Sequence, residues 1–139
     1  MTINNKGILQ EFDLVIYPVL LVVAIGDMEK EINAKYKPYE EEYNYLGHTD
    51  TPAATYRVRN KKTNDCACMV WFPNIEKVLV SYMAHEAGHV ALEIFKYIGA
   101  KANMEDQEPF CYLLGTIARL CNKTFYTLKD YLDKQQEKK

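Results

Sequence analysis

The apolar positions of the chain follow three rhythms. The first is nearly continuous. Residues 13–25 form a strand-like run, densest from Leu14 to Ile25, whose Val and Ile content suits a buried strand. Pro18 lies inside it and implies a bulge or an edge position, because proline cannot donate to a ladder. The second rhythm has a period of two. Thr55 to Arg59 and Cys66 to Phe72 flank the polar stretch Asn60-Lys61-Lys62-Thr63-Asn64-Asp65 and predict a hairpin that Pro73 ends. The third is helical. Asn74 is a good cap for a helix from Ile75 to about Ile98, stopped by Gly99. Val78, Leu79, Tyr82, Met83, Val90, Ile94 and Tyr97 cover more than one face of it, which predicts a largely buried helix. Gly88 lowers helix propensity by ~1 kcal/mol relative to alanine, and its missing side chain suggests close packing against a sheet.

Shorter elements fill the rest. Asp27 can cap a helix from Met28 to Tyr36, and residues 43–53 read as a loop. A helix over approximately Gln107 to Cys121 has Asp106 as its cap and tolerates Pro109 in its first turn. Thr124 can open a last amphipathic helix bearing Phe125, Leu128 and Leu132. The pattern predicts an α+β fold: a small antiparallel or mixed sheet packed on the Ile75–Ile98 helix, with two further C-terminal helices. The 139 residues suffice for one compact domain, and no linker or repeat divides residues 1–139.

Charge narrows the function classes. The formal net charge is -2, with both signs mixed along the chain, so no footprint for nucleic acid stands out. The Leu14–Ile25 run is too short to span a bilayer. Glu11 and Asp13 precede it where a secretory signal has basic residues, and Gly26-Asp27-Met28-Glu29 follows it in place of a cleavage site. A cytoplasmic protein with no membrane partner is the expectation. Cys66 and Cys68 would share one strand face, and Cys111 and Cys121 sit in an apolar helical pattern, so reduced thiols are expected. No Cys-x-x-Cys pair points to a cysteine-based metal site.

The chemistry lies in His85-Glu86-Ala87-Gly88-His89, an H-E-x-x-H sequence. On a helix, His85 and His89 project from the same side about 6 Å apart along the axis. Both imidazoles can then reach one zinc ion at ~2.0–2.1 Å. Glu86 is turned about 100° from His85, where its carboxylate meets a water on the ion rather than the ion itself. Zinc lowers the pKa of that water toward ~7, and the glutamate takes its proton. Chance would place the pattern in roughly a few chains per thousand of this length. The plain alternative is a helix with two satisfied core histidines and a paired glutamate, which would bury three polar groups among apolar ones at a cost.

A catalytic zinc normally has three protein ligands. Glu93 lies about 12 Å beyond His85 along the axis and cannot converge on the same ion. Leu92 and Phe95 stand where a metzincin would need glycine and histidine. The acidic cluster after the Gly99 turn, Glu105, Asp106 and Glu108, is the natural source of the third ligand. Glu108 is favoured because it opens an ordered helix beside an apolar run, although a first-turn carboxylate on a helix dipole is the plain alternative. His48, the remaining histidine, reads as a surface loop residue.

His85-Glu86-Ala87-Gly88-His89 followed by Glu108-Pro109-Phe110-Cys111-Tyr112-Leu113-Leu114-Gly115 resembles the small gluzincin-type zinc metallopeptidases, and short phage- and prophage-encoded HExxH proteins more closely. The resemblance covers about the second half of the chain. It implies a single zincin-like domain, zinc as cofactor, a peptide or protein substrate, and Glu108 as the third ligand. Many gluzincins carry an aspartate four residues after that glutamate; here Tyr112 stands there and becomes a candidate transition-state donor. Zincin-like architecture also implies an edge strand that holds an extended peptide, for which Cys66–Phe72 is the candidate. Two functions follow: a metallopeptidase with Glu86 as general base, or a zinc-stabilised structural or phage-assembly protein without proteolysis.

Overall fold

The computed structural model describes residues 1–40, 47 and 51–139. One mixed six-stranded sheet organises it. The strands are β1 (Thr2–Asn4), β2 (Gly7–Asp13), β3 (Leu20–Gly26), β4 (Tyr36–Pro38), β5 (Ala54–Asn60) and β6 (Cys66–Phe72), in the spatial order β1-β2-β3-β6-β5-β4. β3 and β6 pair in parallel and the other neighbours are antiparallel. The helices are α1 (Glu29–Lys35), α2 (Val80–Ile98) and α3 (Glu108–Glu137). The α+β class expected from the pattern is the one observed.

Each sheet face has its own core. Ile8, Leu21, Val23, Ile25, Val70 and Phe72 point toward α2 and α3, while Leu9, Val22, Ala24, Met69 and Trp71 point toward α1. Alternate residues of one strand serve opposite layers, which is why β3 and β6 read as continuous apolar runs.

Four expectations are corrected. The apolar stretch 13–25 is not one strand. Asp13 ends β2, its Oδ1 accepts from Val15 N–H at 2.7 Å, and Val15 adopts a left-handed φ of 64°. The chain reverses there and returns as β3, with Pro18 in the connection, where it costs no ladder bond. The helix expected from Ile75 begins instead with a 3-10 turn, Ile75–Lys77, capped by Asn74 Oδ1 accepting from Glu76 N–H, and α2 proper starts at Val80. It is amphipathic rather than largely buried: Met83, Ala87, Val90, Ala91 and Ile94 face the sheet while Leu79, Val80, Leu92, Tyr97 and Ile98 are exposed. The two C-terminal helices are one. Thr124 does not cap; its hydroxyl donates back to the Leu120 carbonyl at 3.0 Å, one turn earlier, and α3 runs through it.

The fourth concerns the edge. Cys66–Phe72 is an interior strand, bonded to β3 on one side and β5 on the other. β4 pairs with β5 only at Val58–Asn60, and Tyr39 N–H then donates to the Arg57 carbonyl. The period of two puts the Thr55 backbone on that same side, away from β6, and among the described residues no strand pairs with it there.

Candidate metal centre

Gly99 stops α2 in the left-handed conformation, φ 75°, as the sequence requires. The H-E-x-x-H segment therefore lies wholly within an ordered helix. Its two histidines sit on the outward face and are exposed; their Nε2 atoms are 3.1 Å apart and their rings meet edge to face with centroids 4.8 Å apart. Two Zn–N bonds of ~2.0–2.1 Å at a tetrahedral angle put the nitrogens ~3.3–3.4 Å apart. The imidazoles thus stand at nearly the separation that one ion would impose. Their exposure also means that the burial cost expected for all three polar groups falls on Glu86 alone.

Glu86 is 6% exposed, turned from the histidines toward β5. Its Oε2 accepts a hydrogen bond from Thr55 Oγ1 at 2.5 Å. Its charge also reaches Cys121 of α3, a fully buried thiol whose pKa is pushed up to about 12, chiefly by burial and further by the Glu86 charge. A buried carboxylate whose hydrogen-bond partner among the described residues is one hydroxyl is costly to keep, and such groups collect at functional sites. Nothing in the H-E-x-x-H spacing pointed to Thr55. Only the pairing of β5 with β6 brings it under α2.

A pocket of about 440 Å³ opens between helix and strand, with Glu86, His89 and Glu93 on the α2 side and Ala54, Thr55 and Arg57 on the β5 side. A larger one, about 640 Å³, lies on the α1 face and is lined by Glu11, Lys35, Lys61 and Lys62, with no histidine. The smaller pocket holds the candidate chemistry.

The remaining sequence candidates lie elsewhere. Glu108 opens α3 and is exposed, as is Tyr112. The Phe110 ring packs edge to face on Phe95, centroids 5.7 Å apart, so the first turn of α3 meets the C-terminal part of α2. Phe95 is six residues beyond His89, ~9 Å along the axis. The structure sets His85, Glu86 and His89 on one stretch of α2, while Glu108 and Tyr112 lie exposed near the start of α3. Among the described residues no three His, Cys, Asp or Glu side chains gather as a metal site. His48 lies outside the described residues.

Among the described residues Gly88 has no packing duty: a Cβ built there meets none of them within 4 Å. Gly88→Ala is expected to stabilise the protein by up to ~1 kcal/mol through helix propensity. That is a rise in melting temperature of ~3–5 °C for a chain of this size. A lower melting temperature would show that the glycine is required by the site.

No family model, curated protein or solved structure matches the chain.

Proposed function

We propose that the chain is a zinc-dependent hydrolase of amide bonds, a metallopeptidase, with His85 and His89 holding the ion and Glu86 as general base. The observation that carries this reading is the pair of Nε2 atoms 3.1 Å apart beside a buried carboxylate. Zinc at such a site polarises water and the substrate carbonyl. Glu86 accepts a proton from the attacking water and delivers it to the departing nitrogen, so that water adds across the bond and leaves one carboxylate and one amine. Thr55 holds one oxygen of Glu86, which leaves the other to take up the proton.

A rival reading, a zinc-stabilised structural or assembly protein, shares the two histidines but has no use for a buried Glu86 aimed at the same pocket. That residue favours the enzyme.

Purified protein is expected to bind one zinc per chain. His85→Ala or His89→Ala should remove it, along with the stabilisation that the ion provides, ~2.7 kcal/mol at a hundredfold excess over its dissociation constant. Elemental analysis and melting curves with and without zinc check both; unchanged zinc content in the two variants would reject the site. Glu108→Ala belongs in the same series. From its exposed position beyond Phe95, zinc affinity should be unchanged. A tenfold or larger loss would place Glu108 on the ion, through a movement of the first turn of α3 toward His89.

A further inference from the structure

The pocket that Glu86 and His89 share with β5 continues to a second charged pair that the hydrolytic reading does not use. Arg57 and Glu93 both line it, with Arg57 Nε 3.6 Å from Glu93 Oε2. Glu93 is one turn beyond His89 on the same helix, ~6 Å along the axis. The pair is loose. Glu93 Oε2 is buried without a hydrogen bond, and the distance to Arg57 is an ion contact only.

The Arg57 guanidinium is nevertheless fixed in place. Its Cζ lies 4.1 Å from the centroid of the Tyr39 ring, which supports one face. The Arg57 side chain is 29% exposed. Arg59 stacks on the same ring at 4.4 Å but is committed to the hairpin, donating to the Asn64 carbonyl and to Cys66 Sγ. Arg57 has no such acceptor among the described residues; its partners there are Glu93 and the ring. A planar fork of N–H donors, held on an aromatic face and lining an open pocket, is the arrangement that takes a carboxylate in two parallel hydrogen bonds.

We propose that Arg57 is the specificity-determining residue of this pocket and binds a carboxylate of the substrate, with Glu93 and Tyr39 as positioning residues that orient its guanidinium. The carboxylate comes either from the C-terminus of a peptide or from an acidic side chain near the bond to be cut. The inference rests on the zinc reading through charge. Glu86 and Glu93 supply two negative charges and Arg57 one positive, so the lining is acidic alone and carries one net positive charge once a divalent cation sits on His85 and His89.

The test is a binding titration followed by NMR on zinc-loaded protein, with zinc content measured in the same sample. Three probes are compared: acetyl-alanyl-alanine with a free carboxylate, its C-terminal amide, and acetyl-aspartyl-alanine amide. The first or third is expected to bind at least tenfold more tightly than the plain amide, and which of the two does so identifies the source of the carboxylate. The Arg57 Nε resonance should shift on binding. Arg57→Gln should abolish the preference while leaving zinc content and melting temperature near those of the unaltered protein, and Arg57→Lys should restore it only in part. Equal affinity for all three probes, no binding by any, or a preference that survives Arg57→Gln would overturn the assignment. Binding at Arg57 without hydrolysis of any peptide would sink the enzyme reading and leave this one standing. Hydrolysis indifferent to the carboxylate would do the reverse.

Discussion

Glu86→Gln is expected to lower amide hydrolysis by ~10²-fold or more while zinc content stays at one per chain. The glutamine keeps the shape of the side chain and can still accept from Thr55 Oγ1, the bond that ties α2 to β5. It cannot take a proton from water. The substitution also removes a negative charge from a site only 6% exposed, so folding should not suffer and the melting temperature should hold or rise. Loss of rate with retained metal and retained stability is a combination that a purely structural site would not show, since such a site has no rate to lose. Equal rates for the two proteins, measured on the same peptide pool, would assign the hydrolysis to a contaminant or to another residue.

Gly26→Ala is expected to cost on the order of 3 kcal/mol or more, a fall of ~10 °C or more in melting temperature. Gly26 ends β3 opposite Gly7 of β2. A Cβ at Gly26 would lie 2.1 Å from the Lys6 carbonyl oxygen, and its φ of 97° is one that side chains rarely adopt. A Cβ at Gly7 would lie 2.0 Å from the Ile25 carbonyl oxygen. These are backbone obstacles, so no side-chain rotation relieves them. The Gly26 carbonyl also accepts from the buried Trp71 indole at 2.9 Å and from Met28 N–H at 2.9 Å, so displacing it disturbs the α1 face as well. A melting temperature within ~2 °C of the unaltered protein would show that the two strands separate there without cost.

Both predictions bear on how far the primary structure carried. Its local signals held where one element decides the outcome. The α+β class, the Thr55–Arg59 and Cys66–Phe72 hairpin, the stop at Gly99 and the placing of His85 and His89 on one face of a helix all follow from periods of two and 3.6 residues and from glycine and proline chemistry. The boundaries that failed were those where a side chain had two uses. Thr124 can cap a helix or satisfy its hydroxyl on the carbonyl four residues earlier, and only burial against the sheet, with Gln10 as a further acceptor at 3.1 Å, selects the second. The 13–25 run could be one strand or the end of one and the whole of another; Asp13 bonding Val15 N–H turns the chain, which hydrophobicity alone does not register.

The sequence by itself determined the catalytic candidates that sit on one helix, because their spacing is set by the helix and by nothing else: His85, Glu86 and His89. What surrounds them was decided by the tertiary structure. Thr55 reaches Glu86 across 31 residues of chain because β5 pairs with β6 beneath α2. Arg57 meets Glu93 for the same reason, two residues further along the strand. Where α3 begins to pack, with exposed Glu108 in its first turn, is set by Phe110 seating on Phe95. Such placements depend on which strand adds to which edge and how two helices slide along each other. Those are differences of packing energy between whole arrangements, and no window of local sequence contains them.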